Sequence, residues 1–286
     1  MTAQRGSRFA VMLLAGVATA VLTGCGSPAG EPGAATADIV AASSDSDVVL
    51  PVDAYGYTAI ETGQLLLAKE LLAADCQRAH GVRDVATPDR AAFELLTRSR
   101  QRDLGSYGGK RRYGVIDAGA AATYGYHIPS TVDGSTPNEK DKIPGSSACL
   151  DLATASLTGG GSFGSADLVR TISWDSYRYS LRSPELAAVT KQWSSCMQAK
   201  GYRESNLVDA GEGFDLDTGV VKPEEIATAS ADVACKRTAG VIDTWRAVEQ
   251  AYQDAEIAKH ARELADVKAA HDDCMKRVAE VVARHG

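Results

Sequence analysis

The chain has 286 residues, 44% of them hydrophobic and 23% charged, and carries a formal net charge of −7. That acidity argues against nucleic acid as a partner and against adhesion to anionic headgroups, because both need clustered Lys and Arg to neutralise phosphates. The length supports one large domain or two small ones around an ordinary apolar core.

At the N-terminus Arg5 and Arg8 precede an apolar run over residues 9–22 that closes on Leu22-Thr23-Gly24-Cys25. The run has 14 residues, short of the roughly 20 a spanning helix needs. An ordinary secretory signal ends in small residues, whereas this one ends in a cysteine preceded by Leu, a hydroxyl residue and Gly. It resembles the bacterial lipobox. The resemblance implies lipidation of Cys25 by diacylglyceryl attachment, cleavage before it, and a palmitate-type acyl anchor on the extracytoplasmic face of the cell membrane. Cleavage removes two arginines and no acidic residue, leaving the body more acidic than the full chain.

The expected domains are a lipoprotein signal peptide at 1–24, the acylated Cys25 with a flexible tether at 25–54, and two helical modules at 55–182 and 183–286. The Gly, Pro, Ala, Ser, Thr and Asp between residues 26 and 49 bury too little apolar surface to offset ordering entropy. The body is therefore expected to begin near Tyr55.

The fold class is mainly α. Thr58 with Glu61 three residues on has the form of a capping box, and Gly81 sits where a left-handed cap ends the same helix. Thr87-Pro88 and Ser183-Pro184 each place proline at a first helical position. Leu186, Val189, Trp193, Cys196 and Met197 follow at helical spacing until Gly201. A short helix resumes between Gly145 and Leu157, a connecting helix spans 166–182, and another opens at Pro223. From Val241 to His285 the apolar positions recur every three or four residues, and one continuous helix would be about 68 Å long. That is longer than a compact domain of this size, so the end of this C-terminal amphipathic helix projects toward a partner, folds back or pairs with another helix, or the helix breaks near residues 269–273. The charged residues Glu249, Asp254, Lys259, Arg262 and Glu263 read as its solvated face.

An internal echo aligns Cys76-Gln77-Arg78-Ala79-His80-Gly81 with Cys196-Met197-Gln198-Ala199-Lys200-Gly201. Each cysteine lies five residues before a terminating glycine and is followed, after a long loop, by a cysteine on another helix. Two disulfide-stapled modules follow, with Cys76–Cys149 and Cys196–Cys235 as the leading connectivity in an oxidising compartment. Five cysteines beyond Cys25 still admit other pairings. Cys274 is then the odd thiol, either a buried small hydrophobe or the site of an intermolecular disulfide.

The middle segment concentrates glycine and tyrosine. Tyr113, Tyr124, Tyr126 and His127, with Arg111 and Arg112, form a candidate contact surface for a glycan or peptide; in the alternative, the tyrosines pack on the helices and the glycines supply turns. Arg112-Tyr113-Gly114-Val115, Tyr124-Gly125-Tyr126, Ala148-Cys149-Leu150, Trp193-Ser194-Ser195-Cys196-Met197 with Gly201-Tyr202, and residues 231–236 followed by Trp245 resemble a group of uncharacterised lipoproteins of high-GC Gram-positive (actinobacterial) bacteria. The resemblance covers residues 65–252 or so and implies architecture and address, since that group carries no assigned activity. The first module departs from it in lacking the Trp and Met found around Cys196.

Catalytic signals are weak, and no catalytic residue, metal site or cofactor is expected. Gly160-Gly161-Ser162-Phe163-Gly164 has the nucleophile-elbow pattern without the strand that must precede it. Asp215-Leu216-Asp217 starts like a calcium loop but has Ile226 at the twelfth position. The five histidines show no zinc-ligand spacing. The sequence thus points to a membrane-anchored binding or accessory protein of the cell envelope, with an envelope partner docking on the C-terminal helix. The alternatives are an envelope hydrolase using His127 and a protein that captures a small ligand.

Overall fold

The structure is a computed structural model that describes residues 48–134, 147–161 and 167–285. The signal segment, Cys25, most of the tether and Ser162 lie outside these residues. Ten α-helices occur among those described: α1 (Ala59–Ala79), α2 (Arg90–Leu104), α3 (Ala118–Tyr124), α4 (Pro129–Asp133), α5 (Ser147–Thr158), α6 (Asp167–Ser180), α7 (Pro184–Ala199), α8 (Pro223–Thr238), α9 (Val241–Lys259) and α10 (Ala261–Arg284). None of them is long and apolar enough to cross a membrane.

The local signals act as their chemistry requires. Thr58 accepts from the Glu61 N–H at 3.1 Å while Glu61 accepts from the Thr58 N–H at 2.8 Å, satisfying two orphan donors at the start of α1. Ser183 caps α7 through the Leu186 N–H at 3.1 Å, with Pro184 at the first helical position. In α2 the cap is Asp89, which accepts from the Ala91 and Ala92 N–H groups, so the helix starts two residues after Pro88. A carboxylate offers those donors a stronger acceptor than Thr87 could.

The echo is a repeated piece of geometry. Helices α1 and α7 both end on a glycine with positive φ, Gly81 and Gly201. In each, the next residue's N–H returns to a carbonyl five residues back, Val82 to Gln77 and Tyr202 to Met197, both at 3.0 Å. Cys76 then bridges α1 to α5 through Cys149, and Cys196 bridges α7 to α8 through Cys235, with Cα atoms 5.6 Å apart in both.

Around the first bridge α1 packs on α2, α5 and α10; around the second, α7 packs on α8 and α9. Packing crosses the sequence boundary at residue 183, because α3 lies on α8, α6 lies on α9, and α10 returns to α1. The two largest apolar clusters among the described residues are built on Trp193, Met197, Trp245 and Tyr113, and on Leu65, Leu71, Leu157, Cys274 and Val278.

Two expectations are corrected. The body begins by Val48, since Val48, Leu50 and Val52 are buried and the turn Pro51–Tyr55 packs against α6, α9 and α10. These three valine and leucine side chains insert among α-helices that lie far off in sequence, so the local Asp-rich composition does not reveal them. The C-terminal helix breaks at His260, about ten residues before the thinning of its apolar face, and does not project. The break lets Leu264, Cys274, Val278 and Val281 turn inward. Arg277 donates to the Leu157 carbonyl at 2.7 Å, Arg90 to the Val282 carbonyl at 2.9 Å, and His285 meets Asp75 at 2.8 Å, pinning the end of α10 to the first module. Cys274 is a buried thiol, 2% exposed, which leaves it unreachable for an intermolecular disulfide.

Candidate functional site

Most chemistry-bearing residues of the motifs face inward. Arg112 grips Glu249, with Nε 3.0 Å from one carboxylate oxygen, and Ser176 donates to the same carboxylate at 2.8 Å. Glu249 is therefore core, not solvated face; Asp254, Lys259, Arg262 and Glu263 are exposed as expected. Gln253 donates to Ser176 and accepts from the Val52 N–H, tying the segment before α1 to α6 and α9. Asp232 accepts from Trp193 Nε1 and from Lys236 Nζ, and Lys236 also donates to the carbonyls of Tyr113 and Val115. Each buried charge meets its opposite and extra hydrogen bonds, the condition under which such burial is tolerated.

The candidate contact surface does not form as a surface. Tyr113 is 1% exposed and stacks on Trp245 with ring centroids 4.8 Å apart. Tyr126 is buried against Phe214. Burial pushes both phenols well above their usual range, reinforced by Glu249 at Tyr113 and Asp232 at Tyr126, so neither ionises near neutrality. His127 is 1% exposed, with Nδ1 and Nε2 each 2.8 Å from an acceptor, the Glu225 carboxylate and the Thr218 carbonyl. A carbonyl only accepts, so Nε2 donates to Thr218 while Nδ1 is held by Glu225. No ring nitrogen is left for a substrate, which removes the basis for a hydrolase built on His127. The physical reason is the set of partners supplied by α8, α9 and the loop before α8: Glu225, Trp245, Glu249, Phe214 and Thr218.

Tyr124 lines a cavity. About 310 Å³ lies between the end of α2, the loop 105–117, and α3, and its wall includes Arg102, Asp103, Lys110, Arg111, Asp117 and Tyr124. The two carboxylates have internal partners. Asp103 receives Arg102 Nε at 2.9 Å, and Asp117 caps α3 through the Ala120 N–H at 2.6 Å. Arg102 reaches Asp133 as well, at 2.9 Å. Arg111 instead donates to two backbone carbonyls, Tyr126 at 3.1 Å and His127 at 2.7 Å, and Lys110 donates to the Arg102 carbonyl at 3.4 Å. No carboxylate among the described residues lies within ion-pair distance of either. Burial pulls the Arg111 pKa down, with the more distant Asp103 and Asp117 opposing.

A larger but shallower groove of about 470 Å³ follows one face of α6 beside Trp174, which is 63% exposed. Its charges pair within the helix, Asp167 with Arg170 and Asp175 with Arg178, so it leaves no charge to be matched. The cavity beside Tyr124 is the better candidate site. Sequence reasoning singled out Arg111 and Tyr124 but missed Arg102, Lys110 and Asp117; the signal was the run Lys110-Arg111-Arg112 in an otherwise acidic chain. Of that run only Arg112 neutralises its charge internally.

Cys25 lies outside the described residues, and Asp215 and Asp217 of the calcium-like loop are exposed. Among the described residues no three His, Cys, Asp or Glu side chains converge on a metal-sized site. Comparison with protein-family models, with curated proteins and with solved structures finds no match to the chain.

Proposed function

We propose that this chain is an acyl-anchored lipoprotein of the extracytoplasmic membrane face that works by binding, with the cavity beside Tyr124 as its ligand site. The lipobox-like Leu22-Thr23-Gly24-Cys25 supports the address, and two disulfides stapling a helical body support an oxidising compartment. The observation that carries the binding role is the cavity wall itself: Arg111 and Lys110 line it with no carboxylate among the described residues in ion-pair distance, while His127, Glu225, Glu249, Asp232 and Lys236 are locked into the interior. Its volume lies at the lower end of the range for small-molecule sites.

An envelope protein partner remains part of this reading, now with a different face. The apolar stripe of α10 is buried on α1 and α5, so docking would use the outward charged side of α10 and not its apolar side. The address is tested by metabolic acyl labelling and membrane fractionation of the protein and of Cys25→Ser. Label and membrane association that depend on Cys25 support it; an unlabelled or Cys25-independent membrane protein overturns it. The role is tested by in-cell crosslinking of the full chain and of a variant that keeps the buried stripe of α10 but reverses exposed charges on its outer side, Asp266→Lys with Glu280→Lys: one envelope protein captured by the natural chain and lost in the variant supports docking there, and equal capture or none overturns it.

A further inference from the structure

Resting on the cavity being the ligand site, we infer that its ligand is a small organic anion, gripped through a carboxylate or phosphate group by Arg111 and Lys110. The argument is one of charge matching. A guanidinium withdrawn from water is stable only beside opposite charge or a full set of acceptors. Arg112, one residue on, has both: the Glu249 carboxylate and the Ser173 carbonyl at 2.5 Å. Arg111 has two carbonyls and no carboxylate, and its remaining donors belong to a group in the cavity wall. Lys110 stands next to it on the same wall with one long backbone contact. The acidic members of the wall are engaged by Arg102 and by the start of α3. Counting Asp103 and Asp117 against Arg102, Lys110 and Arg111, the wall keeps one positive charge in excess, inside a protein that is acidic overall.

The two carbonyls also orient the guanidinium. Arg111 is held by the carbonyls of Tyr126 and His127, and the His127 ring is itself held by Glu225 and Thr218. A planar fork held in this way suits a carboxylate or phosphate, which it can meet through two parallel N–H donors. The Tyr124 ring and the small side of Gly114, Gly119 and Ala120 leave room for a short carbon skeleton beside the anionic group.

The test uses the full-length protein in detergent with its disulfides intact, titrated with acetate, succinate, glycerol phosphate and inorganic phosphate, and with dimethyl succinate and glycerol as neutral probes. Amide NMR shifts at Gly114, Gly119 and Thr123 report the cavity. Saturable shifts with the anions and not the neutral probes, weakened at least about tenfold in Lys110→Gln and restored in Lys110→Arg, are expected for one charge-assisted contact. Preference for succinate or for glycerol phosphate distinguishes a carboxylate source from a phosphate source. Arg111→Lys is the second variant, because Arg111→Gln would also free the carbonyls that it holds. Equal response to neutral probes with no effect of Lys110→Gln overturns the anion and leaves the cavity as a binding site. No shift at those amides with any probe overturns both.

Discussion

Lys236 and Asp232 form an ion pair of 2.9 Å one turn apart on α8, both at most 2% exposed, beside the bridged Cys235. The same ammonium holds the carbonyls of Tyr113 and Val115, each at 3.2 Å. One buried cation thus fixes the second disulfide module to the loop that leads into the cavity.

Removing one partner of this pair leaves the other charge buried. Lys236→Met or Asp232→Asn should each lower stability by about 3–5 kcal/mol. In the double variant the loss should fall well short of the sum, because the two changes share one interaction. Urea unfolding of the four proteins measures this.

The bridges close loops of 73 and 39 residues. On the loop-entropy account each contributes about 4 kcal/mol, so Cys76→Ser with Cys149→Ser, and Cys196→Ser with Cys235→Ser, should be similarly damaging. Cys274 should resist alkylation in the native protein and react in denaturant, with the labelled peptide located by mass spectrometry.

Asp53 introduces a pH dependence. Burial, reinforced by Glu249, pushes its carboxyl up from 3.8 to about 6 against the Leu50 N–H and Arg112. The folded protein holds this proton where the unfolded chain has released it. Its contribution is therefore complete below about pH 4 and lost as pH rises through about 6, amounting to at most about 3 kcal/mol. Relative to Asp53→Asn, the natural chain should lose stability between pH 4 and 7; parallel stability curves would contradict this.

Gly125 has φ +57, and a Cβ there would lie 2.8 Å from the Glu225 Cδ. Gly125→Ala should destabilise by about 2 kcal/mol or more through strain and displacement of the carboxylate that binds His127. The change should appear as a lower melting temperature together with altered ring-nitrogen shifts of His127.

The elements legible in the sequence were those written in neighbouring residues. Thr58 with Glu61, Ser183-Pro184 and Gly201 each act within one turn, and the echo around Cys76 and Cys196 led to both bridges. The fate of the middle segment depended on remote partners. Tyr113 is buried by Trp245, Arg112 by Glu249, and His127 by Glu225, all about 100 residues or more away in the chain. Composition could not tell an aromatic surface from an aromatic interior there. The break at His260 carries neither Gly nor Pro and follows from the packing of α10 on α1.

The central claim, an acyl-anchored binding protein, is tested most directly by native mass spectrometry of the protein extracted from the membranes of its own cells. The account predicts a polypeptide starting at Cys25, heavier by acyl and glyceryl groups, with a further small acidic molecule lost on Lys110→Gln. A polypeptide that retains residues 1–24, or that starts elsewhere without lipid and carries no small molecule, would contradict it.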